Sequence, residues 1–224
     1  MTIRPLPLLV LTASALAASP VAQGAELRFT FLGNMAFHIT DGTTVLVSDF
    51  PYESGAFGYM KWQASAVPPV KDGLALITHR HKDHFAPALL APYDLTVAGP
   101  GEVLRLVAGK PTLALTPPVR FRDIEIDPRK TAHAGLEHYS YVVTWHGLRL
   151  YFTGDAEDPA DLLATPDLDV AFVSPWLLGS VHKQKGRIDA RRVVVYHHQD
   201  GEKVVKHQDR IVPRPGDSFR VNAP

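Results

Sequence analysis

Leu74-Ala75-Leu76-Ile77-Thr78-His79-Arg80-His81-Lys82-Asp83-His84 joins an apolar run to four potential metal ligands packed within six residues. A short apolar run of this kind reads as a buried strand, so the ligands stand at its mouth. Residues i and i+2 of an extended chain point the same way, which places His79 and His81 to hold one ion. The chain then turns, and Asp83 and His84 can face a second ion nearby. A cluster this dense is read as a metal site rather than a solvated polar loop.

Composition narrows what such a site is for. The chain has 224 residues, 23 basic against 23 acidic side chains, and no cysteine. That length suits a single α/β domain with a sizeable core. Balanced charge gives no support for a nucleic-acid partner. Without cysteine there are neither disulfides nor thiolate ligands, so any ion is held by imidazole and carboxylate, a set that suits zinc first, with manganese or iron as alternatives.

Residues 78–85, Thr-His-Arg-His-Lys-Asp-His-Phe, resemble the HxHxDH motif of the metallo-β-lactamase-fold hydrolases. The resemblance implies three more ligands from later strand ends: a His, a bridging Asp and a final His. Thr131-Ala132-His133-Ala134-Gly135, the run Leu148 to Asp155 ending in Gly154-Asp155, and Val193-Val194-Val195-Tyr196-His197 supply them in that order. By the family pattern His79, His81 and His133 hold one divalent ion, Asp83, His84 and His197 hold another, and Asp155 bridges them. The resemblance further implies a four-layer αββα sandwich and a hydroxide shared between the ions as nucleophile. Asp83 and Asp155 are the expected catalytic carboxylates. The branch resembled most closely includes ascorbate-6-phosphate lactonase-like and phospholipase D-like members. The expected reaction is hydrolysis of an ester, lactone or phosphodiester. A β-lactamase is the weaker enzymatic reading, and a non-catalytic zinc-binding or sensing protein is the alternative of another class. Two divalent ions, two carboxylates and a hydroxide leave about one net positive charge, which favours a small anionic substrate.

The N-terminus reads as a targeting segment. Arg4 precedes the apolar stretch from Leu6 to Ala18, and Ala22-Gln23-Gly24 has the small-x-small form of a cleavage site. Residues 1–24 are therefore expected to be a signal peptide, with a hydrolase domain over 25–224 that is exported, in a bacterium to the periplasm, and has no membrane anchor. Oligomeric state is not legible.

Along the rest of the chain, alternation predicts strands over Leu27–Leu32, Ala36–Thr40 and Thr43–Ser48, with a hairpin turn at Asp41-Gly42. Further strands are expected at Leu95–Ala98, Tyr139–Trp145, Leu148–Thr153, Asp169–Ser174 and Val193–Tyr196, and short ones between Leu113 and Asp127. Helices are expected over Ala86–Ala91 and Gly101–Ala108. Where the family places a helix before the last metal strand, the stretch Gly179–Arg192 is short, rich in Lys and Arg and broken by Gly186, and is expected to be an exposed turn or else a basic rim for a phosphate or carboxylate. Phe50–Lys71 is aromatic but aperiodic: either a lid over the substrate or a loop packed on the core. Asp49 is a candidate to orient a ligand imidazole from behind, or else a turn residue. His138 reads as a surface histidine or a substrate contact. His198 is expected to face away from the ions because strand neighbours point to opposite faces. His38, His146, His182 and His207 show no ligand pattern, and Asp200–Lys203 reads as a solvated loop.

Overall fold

Strands that are apolar on both faces must be covered on both, and this requirement shapes the computed structural model, which describes residues 24–199, 201–204 and 210–224. The first sheet contains β1 (Glu26–Gly33), β2 (Ala36–Thr40), β3 (Val45–Ser48), β4 (Gly73–Leu76), β5 (Leu95–Gly99) and β6 (Thr112–Ala114). The second contains β7 (Val119–Phe121), β8 (Ile124–Lys130), β9 (Tyr139–Trp145), β10 (Leu148–Phe152), β11 (Leu168–Val173), β12 (Ala190–Val195) and β13 (Arg210–Ile211). The last strand, β14 (Ser218–Asn222), returns to the first sheet beside β1. The strand orders are β14-β1-β2-β3-β4-β5-β6 and β13-β12-β11-β10-β9-β8-β7. Each sheet is antiparallel at one side and parallel at the other: β3 to β6 run parallel, as do β10 to β13.

Alternation assigns the faces. Phe29, Phe31, Leu46, Leu76, Phe152, Val170, Phe172 and Val194 meet between the sheets. Their neighbours divide between the two outer faces: Val47, Ala75 and Ile77 on the first sheet, Ala171, Val173, Val193 and Val195 on the second. Phe172 is the hub of the central layer, stacked on Phe152 with centroids 4.6 Å apart and tilted against Phe37 at 4.9 Å.

The outer layers are thinner than the sequence suggests. The stretch expected to be helical over Ala86–Ala91 carries Pro87 at its second residue and is followed by Pro92, and it forms a single 3-10 turn at Pro87–Leu89. The helix expected to reach Ala108 stops early: α1 spans Gly101–Leu104, buries only Val103, and is followed by an exposed Leu106. With so few apolar side chains to cover, a longer helix would gain little from packing. On the second sheet, α2 (Ala160–Ala164) and α3 (Pro175–Lys183) bury Leu162, Leu177, Leu178 and Val181. The second of these corrects the expectation for Gly179–Arg192. Pro175 opens α3 in its first turn, Gly179 is accommodated inside it, and the chain leaves the helix before Gly186, which lies against Leu163. The expected signal segment (but for Gly24), Asp200 and His207 lie outside the described residues. Among the described residues, no helix is long and apolar enough to cross a membrane.

At the end of the sandwich where β2 turns into β3, His146 ties the sheets together. Its Nε2 lies 2.8 Å from Asp41 Oδ2 and 3.3 Å from Asp123 Oδ2. Burial raises the Asp41 pKa, but hydrogen bonds from the Thr44 amide, His146 and Thr43 outweigh it and lower it to about 2. A carboxyl lowered by folding adds stability above its unfolded pKa of 3.8 and loses it as the pH falls towards 2. Asp41→Asn should therefore cost most at neutral pH, and its deficit in thermal stability should shrink across that acid window. A deficit that stays constant through the window would rule this out.

Candidate metal centre

The parallel strands deliver their carboxyl ends to the opposite end of the sandwich. Asp49 follows β3, the 79–84 motif follows β4, Asp155 follows β10 and His197 follows β12. His133 arrives from the end of β8. Crevices outside carboxyl ends of strands are the usual ligand sites of α/β sheets.

Seven side chains converge there as two groups. His79, His81, His133 and Asp155 form one; Asp83, His84 and His197 form the other. In the first, His81 Nδ1 lies 2.9 Å from His79 Nε2 and 3.3 Å from His133 Nε2. Asp155 Oδ2 lies 3.6 Å from His133 Nε2 and 3.9 Å from His79 Nε2. In the second, His84 Nε2 and His197 Nε2 are 3.1 Å apart, with Asp83 Oδ2 at 3.5 and 3.4 Å from them. The other oxygen of Asp155, Oδ1, faces this group at 3.3 Å from His84 and 3.2 Å from His197. Asp155 thus turns one oxygen to each group.

These spacings pass a test of fit for divalent ions. Ligand atoms about 2.0–2.1 Å from a tetrahedral ion stand roughly 3.3 Å from one another, close to the separations above. Oδ1 of Asp83 and of Asp155 are buried without a hydrogen-bond donor, which is costly for a carboxylate unless a cation faces it. Neither carboxyl is inclined to protonate. Burial raises the Asp155 pKa, but His84 and His197 overcome this and hold it well below the usual range. Asp83 is lowered likewise, with His197 and His84 outweighing burial.

Behind the ligands a hydrogen-bond network fixes the rings. His84 Nδ1 donates to Asp49 Oδ2 at 3.1 Å, and His79 Nδ1 donates to Thr78 Oγ1 at 3.1 Å. Thr78 in turn gives its amide to Asp49 Oδ1 at 2.7 Å and its hydroxyl to Asp49 at 3.0 Å. With Nδ1 engaged outward, each ring offers Nε2 inward. Asp49 is therefore an orienting residue and not merely the end of a strand. Burial and neighbouring His84 push the His79 pKa far down, whereas Asp155 and Asp49 override burial and raise that of His84.

Two residues carry structural weight that their sequence context does not advertise. Asn34, fully buried in the β1–β2 turn with φ 51°, donates Nδ2 to the Asp83 carbonyl at 2.6 Å and accepts the His197 amide at 2.8 Å. It joins both ends of the second group; its only signal is a Gly-Asn turn able to adopt positive φ. His138 is also fully buried, correcting the surface reading. Of the remaining histidines, His38 is buried with Nε2 3.4 Å from the Pro69 carbonyl, and His182 sits on α3 with Nε2 2.9 Å from Arg210. His198 is buried with Nδ1 3.3 Å from the Gln199 carbonyl and joins neither ligand group.

The aromatic loop splits between its two expected roles. Phe50, Tyr52 and Met60 are core, and Trp62 packs on Phe50 with centroids 5.0 Å apart. Phe57 is 60% exposed and approaches His81, while Tyr59 meets the His197 ring edge-on at 4.1 Å. Trp176, from α3, also meets the His197 ring edge-on, at 4.9 Å. Tyr59, Trp176, Gln199 and Glu202 line an open groove beside that ligand.

Among solved structures, the chain resembles Igni18, a metallo hydrolase from Ignicoccus hospitalis KIN4/I, with a TM-score of 0.65 and 14% identity over 88% of this chain and 99% of that one. It also resembles a diphosphatase from the PhnP family, with a TM-score of 0.55 and 10% identity over 88% of this chain and 98% of that one. CmlA, a diiron β-hydroxylase from Streptomyces venezuelae, gives a TM-score of 0.55 and 16% identity over 80% of this chain but only 46% of its own. At these identities the likeness is one of fold. No curated protein matches the chain. The β-lactamase superfamily domain matches residues 28–176, a span that contains every ligand candidate except His197, and the geometry above brings His197 to the others. With that match and two facing sheets of metallo-β-lactamase-like order, the chain belongs to the β-lactamase superfamily.

Proposed function

We propose that this protein is an exported hydrolase that uses two divalent ions, zinc first, to cleave an ester, lactone or phosphodiester bond in a small anionic substrate. The observation that carries this reading is Asp155, which aims one carboxylate oxygen at each of two three-residue groups. A closed structural zinc site needs only four ligands; a carboxylate shared between two groups suits paired ions. Such ions, when bound, polarise the attacked oxygen and lower the pKa of water to about 7. The chain's own part is orientation. Asp49 and Thr78 hold the outward Nδ1 atoms of His84 and His79 so that Nε2 faces inward, and Asn34 ties the Asp83 segment to His197. The rings of Tyr59 and Trp176 pack edge-on against His197 and line the groove beside it.

The ascorbate-6-phosphate lactonase-like and phospholipase D-like branch is the reading of substrate chemistry that the motif favours. The apolar stretch from Leu6 to Ala18 ahead of Ala22-Gln23-Gly24 supports export, with cleavage near Gly24.

Two measurements test the proposal together. Elemental analysis of the mature protein is expected to find close to two divalent ions per chain, and the loaded protein should turn over at least one of an aryl ester, a lactone or a phosphodiester. A chain that holds no ion even after reconstitution with zinc, manganese or iron would remove the metal reading. Two bound ions with no turnover on all three bond types would leave the binding or sensing alternative.

A further inference from the structure

An imidazole buried inside a cluster of ligand imidazoles, yet belonging to neither ligand group, needs a reason to be there. His138 packs with its ring 5.2 Å from that of His79 and 5.4 Å from that of His133, and it is fully buried. Both of its nitrogens are occupied. The Asp155 amide, which can only donate, points at Nε2 from 2.9 Å. Nε2 is therefore an acceptor, and the ring proton of the neutral imidazole sits on Nδ1.

From there every hydrogen has one direction. Nδ1 donates to Thr131 Oγ1 at 2.8 Å. Ser140 donates its hydroxyl to the Thr153 carbonyl at 2.7 Å, so the Thr131 hydroxyl gives its own hydrogen to Ser140 Oγ at 3.2 Å. The chain of bonds starts at the amide of the bridging carboxylate and ends one residue before Gly154, with no member left unpaired. The main chain reinforces it: the Thr131 amide donates to the His138 carbonyl at 3.1 Å, closing the loop that carries His133, and the Tyr139 amide donates to the Thr78 carbonyl at 3.1 Å. A side chain on Gly154, whose φ is +54°, would strike the His138 ring and Thr78.

We propose that His138 is a positioning residue for the first ion: through Nε2 it fixes the Asp155 main chain, and through Nδ1 and its carbonyl it fixes the His133 loop, so that His133 and Asp155 reach the same ion. This rests on the reading of the first group as a metal site. His138 itself neither ligates nor transfers a proton. The hold on Asp155 belongs to one atom, Nε2, which makes it separable from simple filling of space. Gln places a carboxamide oxygen near the position of Nε2 and can accept the Asp155 amide; Asn reaches only as far as Nδ1.

Zinc titration of the wild type and of His138→Gln, His138→Asn and His138→Ala tests this, with thermal unfolding to establish that each variant folds. The Ala and Asn variants are expected to keep one ion as in the wild type and to bind the other about 10–100-fold more weakly, the usual cost of losing a partner behind the ligands. The Gln variant should recover most of that loss. A folded Ala variant that binds both ions as the wild type does, or a folded Gln variant no better than Ala, would overturn the proposal. An NMR measurement of the wild type, needing no variant and no turnover, looks directly for nitrogen–nitrogen coupling across the bond between the Asp155 amide and His138 Nε2. Coupling supports the assignment and its absence defeats it. If the wild type binds no ion and the coupling is present, the contact to Asp155 stands and the metal reading alone fails.

Discussion

Asp155→Ala is expected to lower hydrolysis by at least about a hundredfold, because it removes the one carboxylate that faces both ligand groups and would hold the water-activating ions in register. Its two oxygens approach four different ring nitrogens at distances from 3.2 to 3.9 Å. Without them the imidazole of His79 loses its acidic neighbour, His133 keeps only Glu157, and His84 and His197 retain only Asp83 and Asp49 against their mutual repulsion. The main chain is spared, since the amide that donates to His138 remains in the variant. The protein should therefore fold, which circular dichroism can check, while metal content and turnover both fall. Asp155→Asn is the sharper companion: it keeps the shape but not the charge, and should still lose most of the activity. Wild-type turnover by Asp155→Ala on every substrate tested would end the two-ion mechanism.

The parts of this molecule legible in its sequence are those governed by short-range rules. Strands β2 and β9 match their expected bounds to the residue, Ala36–Thr40 and Tyr139–Trp145, since a slip of one residue would turn every side chain to the other face. The 79–84 cluster is legible because four ligands lie on one turn of chain. Helix lengths were harder to read. Around Gly101 and Pro87 the extent of helix is set by how much apolar surface the sheet offers, which no local pattern reports. His138 was hidden for a related reason. Its spacing from His133 matches no ligand motif, and its partner Asp155 lies 17 residues away, beyond the end of β10. Tyr59 and Trp176 meet only at His197, from a loop and a helix far apart in sequence. Alternation also gave an incomplete reason for preferring His197 over His198. Strand β12 ends at Val195, and His197 has φ 54°, so the chain is no longer extended there.

That left-handed residue makes the last ligand a demanding test. A non-glycine residue at positive φ costs about 1–3 kcal/mol and persists only where its surroundings insist on it. Here the Asn34 carbonyl holds the His197 amide at 2.8 Å, while Tyr59 and Trp176 hold the ring edge-on with Nε2 facing His84, Asp83 and Asp155. The ring of His198, one residue on, has Nδ1 beside the Gln199 carbonyl and takes no part in either group. His197→Ala should lose the second ion and lower turnover by at least about a hundredfold, whereas His198→Ala should bind both ions and keep most activity. His197→Asn separates the two burdens on the residue. Asn tolerates the left-handed backbone better than Ala does, so this variant should regain thermal stability relative to His197→Ala yet remain as poor a hydrolase. If instead His198→Ala loses the ion and His197→Ala keeps it, the last ligand is misassigned by one residue, and the Asn34 contact would have to serve the fold alone.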